Sequence, residues 1–440
     1  MNRLKKYYFS ISQDSSKGFQ AFSVIRQLAV FLVGVLLAKS SLSTDEIGTY
    51  EIWMFIGMII SFTGLSGILQ AFLAMYGKEN VEIRASFIFN TLLIIWIGTI
   101  SSALLIYFTQ GYFFRNFLAQ EVIKHLPLVL IFLLLHLNSI FAPYVKLVEN
   151  KAAFFVPYSI FFLTGNVLAV LIPLWNGQSL PTLLYSLLIW SLIEQFVLML
   201  LLVPSLTFKV SLSTLKRISN TAIPLSLYSG LGLLAQIFDA WLVNYHFKDL
   251  SVFAIFRYGA KEIPGAVALA SAFSASMVAL FVMDERGGLK RLKEGSLKFM
   301  HIFFPLSIVL VLFSDNLFSW MYNDDFRRSA DVFNVYVLLM LSRWVFPQVV
   351  LMGLGKHKDI FWVSVIELFC NILLSLILVN YWGIAGVAVG TLIAFWLEKL
   401  IMVYLLQIRY NINVNDYIPS RYFLLYSISL VCAFFWKSFY

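Results

Sequence analysis

Arg26, Arg257, Lys261 and Arg343 stand inside stretches of sequence that are otherwise apolar for about twenty residues or more. A charge in mid-bilayer costs about 2.5–3.5 kcal/mol on insertion scales, so each should face protein, water or a ligand rather than lipid. Such side chains suit the binding of phosphate, because the planar fork of arginine gives paired, charge-assisted hydrogen bonds. Arg257 and Lys261 are four apart, which on a helix places two cations on one face, an arrangement that makes sense around an anion. The competing reading is internal pairing, Arg257 with Glu262 or Glu51 and Arg343 with Glu367. Acidic residues share the same runs. Asp239, one helical turn after Gln236, together with Glu51 and Glu194, could hold a coupling cation, H+ or Na+; a structural ion pair is the alternative. Glu398 and Lys399, near the end of a run, are expected to reach the headgroups.

The elements that position these residues are apolar to an unusual degree. The 440-residue chain is 60% hydrophobic and 12% charged. Soluble domains carry about twice that charge, so the expectation is an all-α polytopic membrane protein. The runs are continuous rather than alternating over ten residues, which excludes a β-barrel. They lie near 19–38, 49–76, 85–108, 126–148, 153–174 and 181–203, then near 221–243, 251–283, 297–320, 331–352, 360–380 and 383–406. A last run, Tyr422 to Trp436, makes a thirteenth span or an interfacial tail. The organisation expected is an interfacial cytoplasmic segment 1–18, a six-helix lobe 19–203, a basic cytoplasmic linker 204–220, a second six-helix lobe 221–406 and a tail 407–440.

The net charge of +9 invites a nucleic-acid partner, but the basic residues lie in short loops and make no continuous face. Counted over alternating loops, about twenty Lys and Arg fall on one side against six on the other, which places the amino terminus in the cytoplasm. No metal-ligand cluster, phosphate-binding glycine loop or nucleophile elbow is present. Neither a cofactor nor an enzymatic activity is therefore expected, and any work done across the membrane should draw on an ion or substrate gradient.

The residues after each half's first span match in type: Ile47-Gly48-Thr49-Tyr50-Glu51, read as a turn leading into the second span, and Phe253-Ala254-Ile255-Phe256-Arg257. A Lys-Gly opening at 17–18, a turn bearing Gly-x-Tyr, the run PLSLYSGLGLLAQIFDAWLV and the segment FAIFRYGAKEI resemble polysaccharide-repeat-unit exporters. These are the O-antigen flippases of the multidrug/oligosaccharidyl-lipid/polysaccharide exporter superfamily. The chain departs at Phe256, where that family more often has Tyr, and by its extra terminal run. The resemblance implies two lobes around a central cavity that opens alternately to each face of the bacterial inner membrane. The implied substrate is an undecaprenyl-pyrophosphate-linked oligosaccharide, with Arg26 and Arg257 at positions comparable to the family's cationic cavity. Partners implied are membrane lipids and a polysaccharide polymerase. Two rivals stay open: a multidrug–cation antiporter of the same superfamily, and a membrane glycan polymerase or acyltransferase.

Overall fold

The computed structural model describes residues 14–263 and 265–439, less the side chains of residues 227–229, 268, 279, 282, 283 and 439. Most of the expected interfacial segment 1–18 therefore lies outside the described residues. Those described form helices and no strands. Their contacts divide the chain into two compact units, Met1–Ile237 with Asn244–Ser251, and Phe238–Val243 with Val252–Tyr440.

In the first unit, α1 (Ser15–Ala38) starts at Asp14, whose carboxylate accepts from the backbone N–H of Ser16 at 2.9 Å and of Lys17 at 3.3 Å. These bonds satisfy donors that a helix start leaves open, and the one from Lys17 does most to hold the Asp14 carboxyl below its usual range. A capping box between Ser43 and Glu46 starts α2 (Thr44–Gly64). The helix thus begins three residues before Ile47, and the segment Ile47–Tyr50, expected to be a turn, is helical. The cap decides the start, and Glu51 lies two turns inside. A break at Leu65 separates α2 from α3 (Ser66–Tyr76).

The apolar runs of the first half continue as α4 (Arg84–Phe108), α5 (Leu126–Ser139), α6 (Phe141–Val148), α7 (Phe155–Trp175) and α8 (Leu180–Leu202). Small residues set how close these helices pack. A Cβ on Gly64 would sit 2.7 Å from the Gly98 carbonyl carbon, so α2 and α4 meet backbone to backbone. Phe72, Phe87 and Phe141, all buried, fill the core beside that contact.

The helix α9 (Leu212–Phe247) is longer than the run 221–243 because Ser211 caps it through the N–H of Thr214. Its residues Phe238–Val243 cluster with the second unit. That unit then holds α10 (Leu250–Gly259, of which the first two residues belong to the first unit), α11 (Ala266–Met283), α12 (Glu285–Leu312) and α13 (Ser314–Met321). Next come α14 (Ser329–Leu338), α15 (Met340–Arg343) and α16 (Pro347–Gly353). The 53-residue α17 (His357–Arg409) bends sharply at Gly383, where φ is 59° and ψ −138°. Hydrogen bonds from Asn371 to Thr391 and from Ser364 to Glu398 show that its two arms run antiparallel. The terminal run forms a 20-residue helix, α18 (Ser420–Phe439), tied to α12 and α13 through His301–Tyr426 and Lys437–Asp315.

Eight helices among the described residues are long and apolar enough to cross a membrane, or ten if each bent pair is one span. The twelve apolar runs are all helical, several of them in pieces. The all-α polytopic architecture expected from the sequence is present.

Candidate functional site

In the first unit, Arg26 is partly buried on α1 and makes no salt bridge among the described residues. Its charge acts on His136 of α5 and Tyr144 of α6. His136 is not idle: its Nδ1 lies 2.8 Å from Oε2 of Glu194, which is fully inside the unit at 1% exposure. Asn166 of α7 reaches the other oxygen at 3.5 Å. The imidazole is stacked between Phe132 and Phe162, and Phe162 packs against Phe22 of α1. Four helices therefore gather a guanidinium, an imidazole, an amide and a carboxylate within one apolar unit. The sequence marks Glu194 as a candidate for a coupling cation and names no partner for it. Its partner lies 58 residues away, and only folding brings them together. Glu51 is buried on α2.

In the second unit, the chain leaves the helix after Gly259, and Lys261 and Glu262 lie in the break before α11. The expectation that Arg257 and Lys261 share one helix face fails for that reason. Lys261 instead sets its Nζ 4.7 Å from the ring centre of Tyr258, a cation–π contact. Arg257 remains on α10, partly buried. Arg343, the last residue of α15, grips Glu262 with both arms of its fork: Nε donates to Oε2 at 3.0 Å and Nη2 to Oε1. Glu262 is thus the partner of Arg343, in place of the Glu367 named from the sequence. Phe395 lies under the same guanidinium, 5.8 Å from ring centre to Cζ.

Asp239 occupies a second polar centre of that unit. It is 2% exposed, and Thr391 Oγ1 donates to its Oδ2 at 2.7 Å. Asn371 Nδ2 donates to Thr391 at 3.0 Å, and Ser375 donates to the carbonyl of Val387 at 3.3 Å. Asp239 Oδ1 and Asn371 Oδ1 are buried with no donor among the described residues. A cluster that keeps two buried oxygens over after these bonds has the chemistry to hold a small cation or a proton. Sequence reading found Asp239 but not Asn371, Ser375 or Thr391. The signal was their spacing, Asn371 and Ser375 one turn apart on the first arm and Thr391 on the second. Glu398, expected at the headgroups, is buried and bonded to Lys399 at 2.7 Å and Ser364 at 3.1 Å. It lies two turns after Thr391 and shares the face turned to the other arm.

No protein-family model and no curated protein matches the chain. Solved structures do. A lipid II flippase MurJ in an inward closed conformation is 17% identical, with a TM-score of 0.71 over 94% of this chain and 91% of that one. An inward-facing multidrug resistance MATE family transporter of the MOP superfamily is 15% identical, with a TM-score of 0.60 over 88% and 94%. A MOP superfamily transporter from Pyrococcus furiosus, described by the reverse polarity of its binding pocket, is 16% identical, with a TM-score of 0.58 over 91% and 97%. At such identities the likeness is one of fold. The chain has the fold of the MOP-superfamily transporters, the wider group to which the exporters it resembles in sequence belong.

Proposed function

We propose that the chain is a flippase that carries an undecaprenyl-pyrophosphate-linked oligosaccharide, an O-antigen or other polysaccharide repeat unit, across the bacterial inner membrane by alternating access. The observation that carries this reading is Arg26, a guanidinium held within an apolar helix with no carboxylate salt-bridged to it among the described residues. A charge so placed is stabilised by an anion, and a diphosphate supplies one. Arg257, Lys261 and Arg343 extend the basic set in the second unit. Asp239, with its unpartnered oxygen, holds the coupling ion, H+ or Na+. Glu194 and Glu51 are further candidates for that role. Membrane lipids surround the spans, and a polysaccharide polymerase receives the exported unit.

A multidrug–cation antiporter is the second reading, favoured by the buried carboxylates Asp239 and Glu194 and by the shared fold with MATE transporters. One experiment separates them. In a strain lacking the gene, the intact lipid-linked unit should accumulate on the inner leaflet, and the wild-type chain should restore its export. Arg26→Ala, present at wild-type level in the membrane, should lower export at least about tenfold, a loss of ~1.4 kcal/mol or more. Full export by that variant removes the phosphate-binding reading. Drug resistance gained without export selects the antiporter.

A further inference from the structure

Two helical spans of the second unit are interrupted, and the same ion pair joins the interruptions. The chain is non-helical at residues 260–263 and at Gly265, and again from Trp344 to Phe346, where Ser329–Arg343 and Pro347–Gly353 meet at a 42° bend. Irregular backbone at membrane depth is tolerated where it is covered by protein or lines a polar space. Here the breaks are partly tied down by short bonds: Lys261 N–H to Gly259 O at 2.7 Å within the first, and Ser296 Oγ of α12 to Trp344 O at 2.6 Å in the second. Between them Arg343 holds Glu262 through both guanidinium arms. The pair is not sealed, since the two side chains keep 24% and 19% of their surface exposed. A carboxylate in this grip presents two oxygens to the fork, the same geometry a phosphate presents.

We propose that Glu262 is an internal stand-in for the substrate's phosphate: it occupies Arg343 when the carrier is empty and is displaced when the diphosphate arrives. This rests on the flippase reading above and adds a residue that sets both affinity and turnover. The physical reason is that exchange of one anion for another keeps Arg343 paired throughout, whereas a mostly buried guanidinium with neither anion would carry an uncompensated charge. Competition weakens binding and in return lets the empty protein reorient. Release is likewise assisted, because Glu262 returns to Arg343 as the product leaves. Glu262 acts through Arg343 and need not touch the lipid, so it is a positioning residue.

The test uses the full-length chain in nanodiscs with geranylgeranyl pyrophosphate as the probe. Glu262→Gln removes the competing charge while it keeps an oxygen for Arg343. It should bind the probe about tenfold more tightly in nanodiscs and, in the strain lacking the gene, export the lipid-linked unit more slowly than the wild-type chain. A merely structural role would lower affinity and export together. Should Glu262→Gln fail to fold, Glu262→Asp, which shortens the arm by one methylene, should shift both quantities the same way by a smaller factor. The exchanged pair, Glu262→Arg with Arg343→Glu, keeps the bridge and should not show the gain. Arg343→Gln serves as the reference for the underlying reading. If Arg343→Gln weakens probe binding and Glu262→Gln matches the wild type, the counter-anion is overturned and the flippase reading stands. If the wild type does not bind the probe, or Arg343→Gln and Arg26→Gln both leave affinity unchanged, the flippase reading falls and the counter-anion falls with it.

Discussion

At the scale of single residues, the two polar centres make opposite demands on substitution. Asp239→Asn should keep the fold, since an amide tolerates burial better than a carboxylate with one unpartnered oxygen. It should abolish the dependence of export on an H+ or Na+ gradient, measured in proteoliposomes with each gradient imposed separately. Export that still follows one of the gradients would place the coupling ion elsewhere. Thr391→Val has the reverse signature. It keeps the volume and removes the donor to Asp239, a bond to a charged group whose loss costs about 1.5–3 kcal/mol. A lowered Tm in detergent checks it. His136→Phe strands the buried Glu194 carboxylate with only the long contact from Asn166. Breaking a buried pair from one side costs on the order of 3–5 kcal/mol, so this variant should be the least stable of the three. None of these partnerships was visible along the chain. Thr391 lies 152 residues from Asp239, and no periodicity links them.

At the scale of elements, the sequence was clearest where each apolar run is one uninterrupted helix, as in α1, α4, α7 and α8. It was least clear where helices break inside a run. The stretch 251–283 read as one span because it is apolar on both sides, yet the charged pair Lys261-Glu262 and the glycine at 265, with φ of 81°, interrupt it. Start signals outweighed hydropathy at α2 and α9, where Ser43 and Ser211 cap helices that begin before the apolar run does. Gly383 is the element-scale prediction. Its φ and ψ fall in a region that side chains with a Cβ rarely enter, so Gly383→Val should cost about 1–3 kcal/mol. Loss of ordered second-arm protection in hydrogen exchange, beyond the mutated turn, would register it. Unchanged protection would mean that the bend is held by packing alone.

At the scale of the whole molecule, the architecture was legible because a bilayer imposes a length and a polarity on every element that crosses it. The polar centres were not, because a membrane interior constrains where a charge is tolerated without saying which distant residue answers it. Orientation is a whole-molecule matter, and the loop charges predict it. A single cysteine placed at His357, the first residue of α17 between Lys356 and Lys358, should be labelled only after inside-out exposure of the membrane. A cysteine at Lys124 should react from the outside. The opposite pattern would invert the assignment of the leaflet from which substrate is taken.

The bend at Gly383 has a further consequence, because it joins two arms with no slack between them. The bonded positions 364 with 398, 371 with 391 and 375 with 387 are each centred on Tyr381. One residue inserted just after the bend would rotate the outgoing arm by about 100° and advance it ~1.5 Å. Every rung of that ladder would then face the wrong way, and the hydroxyl of Thr391 would leave the carboxylate it serves. Chain length between the arms is thus as much a determinant of the polar centre at Asp239 as the identity of its residues.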